Sequence, residues 1–369
     1  MSETSTGGID RLVSIVVPCR NERGHVEAFA ASALAQRLPE GWALEIVIAD
    51  GGSDDGTQAI LVAVAAFDRR LRVVANPGRI VSAGLNVAIA ESRGAVIVRM
   101  DVHTTYADDY VAECLAALER TGADNVGGPW RAEAVAAGGP LQAAIAAAFQ
   151  SPAVAGGALS RRLNHDGLVD TVYLGAWPRR TFERFGGFDE KLVRNQDDEH
   201  NLRIVRGGGR VWQSPRIRSA YRPRAELAQV FRQYLQYGYW KPFVMKKAGQ
   251  PAALRHVVPA VFVAALGVCA VLAIVGVATA SMTATVGNPP TWARAIILPL
   301  VVLVAAYAAA VAAMTVAVAL EKRHEAAVLF RLPLVIATYH IGYGLGSLAG
   351  LRAVLFGGDG ASRFATLSR

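Results

Sequence analysis

Three stretches of this chain carry no Asp, Glu, Lys or Arg: residues 257–293, 295–320 and 332–351. A bilayer span needs about 20 consecutive apolar residues, so the last third of the chain is constrained to be a membrane domain. The first stretch is too long for one span and breaks where Gly287, Asn288, Pro289 and Pro290 cluster. The pattern predicts a transmembrane domain at 256–369 with three helices, at about 257–280, 295–320 and 332–351. Only 18% of the 369 residues are charged and the mean hydropathy is +0.29, against about a quarter charged in ordinary soluble domains. A purely soluble enzyme, a disordered chain and a small disulfide-stapled domain are excluded.

The charge is laid out in blocks. Residues 1–202 are net acidic, whereas 203–255 hold twelve Lys/Arg and a single acid, Glu226. A basic block abutting the first span is what the positive-inside bias and anionic cytoplasmic lipids favour. Nucleic-acid binding, the rival reading of such a block, is set aside because the block is fused to a hydrophobic segment. Cys19, Cys114 and Cys269 have no C-x-x-C spacing and are odd in number, which fits neither a disulfide framework nor a zinc site. The opening MSETSTGGID has no basic n-region and no apolar h-region, so no signal peptide is expected. Residues 1–11 read as a flexible terminus. The expectation is an integral protein of the cytoplasmic (inner) membrane with its large N-terminal domain in the cytosol.

Residues 12–225 read as an α/β domain. The runs at 12–17, 44–49, 71–75 and 95–100 are apolar and strand-length, and helical periodicity fills 26–36, 58–67 and 82–92. Alternation of this kind predicts a doubly wound sheet whose ligand crevice lies at the carboxyl ends of the strands. Three polar clusters fall at that edge: Pro18-Cys19-Arg20-Asn21-Glu22, the run from Asp50 to Thr57 (DGGSDDGT), and Asp101-Val102-His103. The Asp50 carboxylate can accept from a base or ribose hydroxyl, and Gly51 and Gly52 let the backbone approach closely. No G-x-G-x-x-G and no Walker A is present. Asp101 and His103 share a face of an extended segment. A divalent cation held there would grip a diphosphate and offset the charge of a departing nucleotide, and the imidazole tilts the choice toward Mn2+ over Mg2+. Residues 226–255 form an amphipathic region, aromatic on one side and cationic on the other. That pattern suits a helix at the membrane interface and equally one packed on the α/β core. Gly342, Gly346 and Gly350 recur four apart, a small-residue stripe read as packing within its own bundle, with the oligomeric state left open.

Taken together, LVSIVVPCRNE, DGGSDDGT and RMDVH resemble a family 2 glycosyltransferase of the GT-A fold. Gly186-Gly187-Phe188-Asp189, the run Asn195-Gln196-Asp197-Asp198-Glu199 and Gln236-Tyr237-Gly238-Tyr239-Trp240 agree. The pattern is most similar to the succinoglycan-type exopolysaccharide membrane glycosyltransferases. It covers about residues 12–245 by motif, and the membrane part matches only in kind. The resemblance implies that Pro18, Arg20 and Glu22 line the nucleotide site, that Asp50 contacts the uracil or ribose with Gly52 and Ser53 beside it, and that Arg79, Ser82 and Asn86 lie near the diphosphate. It implies Asp101 and His103 as holders of the metal and Asp197 as the base that deprotonates the acceptor in an inverting displacement.

Two departures stand out. The usual Glu-Asp pair reads Gln196-Asp197, and the Gln-x-x-Arg-Trp motif of processive synthases lacks its arginine. With only three spans, this argues against a chain-extruding synthase. Gln236, Tyr239, Trp240 and Lys241 are candidates for acceptor contact or a lid; an aromatic packing face is the alternative. The expected activity is metal-dependent transfer of a sugar from a nucleotide-diphosphate donor, a UDP-sugar, to a lipid-linked saccharide at the membrane. A polyprenyl-phosphate glycosyltransferase and a non-catalytic membrane scaffold are the other readings.

Overall fold

In the computed structural model, residues 11–249, 253–284, 292 and 295–357 are described. The N-terminal ten residues and most of the Gly-Pro linker at 281–291 lie outside them. The described residues form two compact units, one from those up to Ala134 together with Ala158–Pro223, the other from Val135–Gly157 and those from Arg224 onward.

The first unit is the α/β domain. A strand covered on both faces can be apolar at successive positions rather than at alternate ones, and β1 (Leu12–Cys19), β2 (Ala43–Asp50) and β4 (Val96–Arg99) are largely built that way, while β3 (Leu71–Ala75) is the partly exposed edge strand. Helices α1 (Val26–Leu34), α2 (Thr57–Phe67) and α3 (Val81–Glu91) connect them. The remaining elements are β5 (Thr104–Tyr106), α4 (Tyr110–Thr121), β6 (Asn125–Gly128), β7 (Gly167–Leu168), β8 (Tyr173–Pro178), α6 (Arg179–Phe185), α7 (Gln196–Arg206), β9 (Val211–Gln213) and β10 (Ser219–Tyr221). Eight strands form one mixed sheet in the order β3-β2-β1-β4-β8-β6-β9-β7, and β10 pairs with β5. The first four are mutually parallel; β8 runs antiparallel to both β4 and β6. Val16, Val47, Leu85, Ile97, Trp177 and Phe188 belong to one buried core cluster.

The second unit is helical. It contains α5 (Gly139–Gln150), α8 (Leu227–Ala248), α9 (Val258–Ala284), α10 (Leu298–Glu321) and α11 (Ala326–Leu355). Three helices, Leu254–Met282, Leu298–Glu321 and Ala326–Leu355, are long and apolar enough to cross a membrane. The third has the lowest mean hydropathy, 1.3, and the largest buried share, 33%. Its burial goes with its glycines, which let neighbouring backbones approach. A Cβ placed on Gly346 would stand 2.1 Å from the Leu235 carbonyl oxygen, and one on Gly350 2.1 Å from that of Tyr239. Gly238 of α8 faces back, 2.1 Å from the Tyr343 carbonyl oxygen by the same measure. The glycine stripe therefore serves its own bundle. It also identifies the partner of the amphipathic α8, which is α11. Tyr234 and Tyr339 stack across this contact at 4.1 Å. Helix α5, apolar in sequence and expected inside the α/β domain, joins the helical unit instead: Tyr339 Oη donates to the Ile145 carbonyl at 2.8 Å.

Candidate active site

In a parallel sheet, ligands settle at the carboxyl ends of strands where the strand order reverses. Here β2 and β3 lie on one side of β1 and β4 on the other, so the reversal falls between β1 and β4. The register that pairs Val16 with Arg99 and Cys19 with Asp50 brings the ends of β1, β2 and β4 to one edge. All three polar clusters emerge there.

The β1 and β2 loops lock onto each other. Asn21 N–H donates to Ser53 Oγ (2.8 Å), and its amide exchanges two bonds with Asp54 at 2.9 and 3.0 Å. Glu22 N–H donates to Thr57 Oγ1 (2.8 Å), and Arg23 N–H donates to Asp55 (3.1 Å). Asp50 is buried and accepts from the Ser53 hydroxyl (2.5 Å) and backbone N–H (3.2 Å). These bonds fix Asp50 while leaving it lone pairs for a ligand hydroxyl. Pro18, one residue before the end of β1, lies opposite Ala49. The Arg20 stem lies over Gly51, where a Cβ would stand 3.2 Å from its Cδ, and the Arg79 guanidinium lies over Gly52, whose φ is +72°.

Beyond β4, the 101–106 turn is tightened by Tyr106. Asp101 N–H donates to Tyr106 Oη at 2.6 Å, and that hydroxyl donates to the Asp101 carbonyl at 3.1 Å. Thr104 Oγ1 and Tyr173 Oη are 2.7 Å apart. Burial, with the Asp101 charge adding to it, pushes the Tyr106 and Tyr173 hydroxyls well above their usual range, so both act as neutral hydrogen-bonding groups. His103 Nδ1–H donates to Glu22 Oε1 at 3.3 Å. A carboxylate on one ring nitrogen selects the tautomer that presents the other nitrogen's lone pair, which is how metal-binding histidines are oriented. Among the described residues no three His, Cys, Asp or Glu side chains cluster as a metal cage. A cation carried in on substrate phosphates needs only one or two protein ligands, and a carboxylate with an oriented imidazole fits that requirement.

Asp197 stands in the first turn of α7, after Asn195 in the left-handed region (φ +60°). Its Oδ1 accepts from Asp198 N–H at 2.9 Å, and its Oδ2 lies 4.0 Å from Arg99 Nη1. Arg99 in turn forks onto both oxygens of Asp101 at 2.9 and 3.0 Å. Burial alone would lower the guanidinium's pKa; Asp101 first, then Asp197, outweigh it and leave it raised. Asp101 and Asp197, 96 residues apart in sequence, thus meet through one buried cation.

Two sequence expectations read differently in place. Ser82 and Asn86, expected near the diphosphate, spend their polar atoms on the 188–192 loop. Ser82 Oγ donates to the Leu192 carbonyl (3.1 Å), and the Asn86 amide both donates to the Phe188 carbonyl and accepts from its N–H, each at 2.8 Å. They anchor the segment that leads to Asp197. Gln236, Tyr239, Trp240 and Lys241 are all buried on α8 in the helical unit, where the Tyr239, Trp240 and Phe243 rings lie within 5.3–5.7 Å of one another. Ring contacts of this kind are what an aromatic packing face makes. Tyr106 and Tyr173 were not singled out in the sequence, and Asn21 was named only as a member of its cluster; for Tyr106 its place just after the D-x-H run was the available signal.

This sheet order, with its carboxylate-rich edge, is the architecture of GT-A-type glycosyltransferases. Residues 14–139 match glycosyl transferase family 2. The chain is 34% identical to the succinoglycan biosynthesis protein ExoA of Rhizobium meliloti over 272 residues, covering 71% of this chain and 78% of that one. It belongs to glycosyl transferase family 2. A dolichyl N-acetyl-alpha-D-glucosaminyl phosphate 3-beta-D-2,3-diacetamido-2,3-dideoxy-beta-D-glucuronosyltransferase of Methanococcus voltae is 22% identical over 64% of the chain and 74% of its own length. Among solved structures, the mannosyltransferase PcManGT from Pyrobaculum calidifontis, in complex with GDP-Man and Mn2+, matches with a TM-score of 0.52 at 19% identity, covering 91% of this chain and 87% of that one. At that identity the likeness speaks for the fold.

Proposed function

We propose that the protein is an inverting, metal-dependent glycosyltransferase that moves a sugar from a nucleotide-diphosphate donor, a UDP-sugar, to a hydroxyl of a lipid-linked saccharide at the cytosolic face of the inner membrane. The observation that carries this reading is the meeting of Asp101 and Asp197 across Arg99, 4.0 Å from Asp197. It sets a donor-side carboxylate beside a partly exposed one able to take a proton. The Rhizobium relative supports a role in polysaccharide synthesis, and the archaeal relative, named for a dolichyl-linked acceptor, supports a lipid carrier. The three long apolar helices and the basic block at 203–255 support the orientation.

Asp50, with Gly52 and Ser53, would receive the nucleoside, and Arg20 and Arg79 the diphosphate. Asp101 and His103 would hold a divalent cation, Mn2+ in preference to Mg2+, which when bound offsets the negative charge of the leaving nucleotide. Asp197 accepts the proton of the acceptor hydroxyl as that oxygen bonds to the anomeric carbon. The sugar–phosphate bond breaks on the opposite face, and the nucleoside diphosphate leaves with the bonding pair.

The test is nucleotide release by the detergent-purified protein from UDP-glucose, UDP-galactose, UDP-N-acetylglucosamine and GDP-mannose, each with Mn2+ or EDTA, with and without lipid extract. Release from one donor that EDTA abolishes is the expected result. An ionised phosphate acceptor needs no base, so normal activity in Asp197→Asn would favour polyprenyl-phosphate transfer instead. Nucleotide binding without turnover under every condition would identify a scaffold.

A further inference from the structure

Arg99 closes β4, two residues before Asp101. Its side chain is 7% exposed, a costly place for a group that never gives up its proton. The fold meets that cost with two carboxylates and no more. Nε and Nη2 each donate to an oxygen of Asp101. Nη1 makes no hydrogen bond and faces Asp197 Oδ2 at 4.0 Å. Arg99 faces both acids, and either one turning away would leave the buried guanidinium less well compensated. The planar fork matters here: an ammonium is a point charge that satisfies one carboxylate at a time.

We propose that Arg99 is a positioning residue acting on both halves of the reaction. It holds Asp101 in the orientation that receives the nucleotide-borne cation, and it fixes Asp197 where the acceptor hydroxyl arrives. This rests on the roles given above to Asp101 and Asp197. Donor capture and proton abstraction are thereby tied to one side chain.

The experiment uses the full chain in detergent. Binding of UDP or GDP in the presence of MnCl2 is measured by calorimetry, and turnover at saturating donor by nucleotide release. Arg99→Gln is expected to weaken nucleotide binding and lower kcat, each by about tenfold or more, the scale seen when a group orienting a ligand residue is removed. Arg99→Lys is expected to split the two. Its charge stays with Asp101 and keeps nucleotide affinity within about threefold, while kcat stays down by about tenfold because Asp197 has lost its neighbour. A residue that only supports the fold would move both parameters together, or neither. Retention of either parameter by Arg99→Gln, or restoration of both by Arg99→Lys, overturns the proposal. If Arg99→Gln does not fold by thermal melt, the Arg99→Lys split decides alone. Asp197→Asn is run alongside: wild-type turnover there removes the base assignment, and this proposal with it. Loss of turnover in Asp197→Asn, with both parameters restored in Arg99→Lys, removes the link alone.

Discussion

Replacing Gly346 with alanine adds one methyl group to a helix that otherwise favours alanine over glycine by about 0.8–1 kcal/mol. The structure reverses the sign. The new Cβ would stand 2.1 Å from the Leu235 carbonyl oxygen, 2.9 Å from the Leu235 carbonyl carbon and 2.9 Å from the Tyr239 nitrogen, all backbone of α8. A side chain in its path could swing aside, but a hydrogen-bonded helix backbone cannot. Restoring van der Waals distance requires α8 and α11 to separate by on the order of 1 Å along the whole contact, since close-packed interiors transmit such strain. Overpacking of this kind costs roughly 1–3 kcal/mol. At about 2–4 °C per kcal/mol for a unit of this size, the melting temperature falls by roughly 2–12 °C. The control is Gly267→Ala in α9, where no atom lies within 4 Å of the added Cβ and the expected change is neutral or slightly stabilising. Thermal unfolding in detergent reads both. If Gly346→Ala melts with or above the wild type, the glycines are not what brings α8 and α11 together, and the packing argument for the stripe is wrong.

Three further outcomes follow from the α/β unit. Glu45 is buried and accepts from Ser14 Oγ (2.7 Å) and from the backbone of Arg93 and Gly94. Burial works to raise its pKa, but those bonds and the nearby Arg93 charge prevail and hold it below the usual value of 4.5. Its stabilisation is therefore complete above about pH 5 and lost as pH falls through the lowered value; Glu45→Gln should flatten that acid limb in a series of melts from pH 7 to pH 3. Glu22→Gln removes the partner that orients His103 and should weaken Mn2+-dependent nucleotide binding about 10–100-fold, with Mn2+-independent binding little changed by calorimetry. Asn21→Gly relaxes a left-handed backbone (φ +55°) but deletes the two bonds to Asp54. Melting should change little because the two effects oppose, while nucleotide affinity falls; unaltered affinity would mean that the clasp between the first two loops has no part in binding.

The parallel half of the sheet was readable because strands covered on both faces are dominated by apolar residues, and three of the four runs, β1, β2 and β4, end in a polar cluster. The partners of the helices were not. An amphipathic pattern reports that one face is covered and is silent about what covers it, so α8 was expected at an interface or on the α/β core, and α5 inside the α/β domain. Ser82 and Asn86 show the same blindness at the scale of one side chain. Polar residues at the start of a helix beside the crevice read naturally as phosphate contacts, yet their partners are backbone groups more than 100 residues away. Arg99 was visible within the RMDVH run and carried no role there, because an arginine ending a strand normally reaches solvent. Only its burial between a neighbouring carboxylate, Asp101, and a distant one, Asp197, makes it informative.

The backbone supplies an independent line to the same site. Non-glycine residues in the left-handed region cost of order 1 kcal/mol or more and persist where surrounding structure enforces them. Among the described residues there are four: Asn21, Arg79, Leu174 and Asn195. Asn21 follows β1 and clasps the Asp50 loop. Arg79 precedes α3 and lays its guanidinium over Gly52. Leu174 sits with Gly175 where the β6–β8 register shifts, an irregularity that re-aims the strand just as Tyr173 reaches Thr104. Asn195 turns the chain into α7 two residues before Asp197. Glycine would relieve the backbone at any of them, and at Asn21 and Arg79 the side chain that glycine would delete is itself engaged at the crevice. Asn21, Arg79 and Asn195 lie in connections that lead into α1, α3 and α7, and Leu174 lies within β8 beside Tyr173; strain at these places marks geometry held against the local preference of the chain.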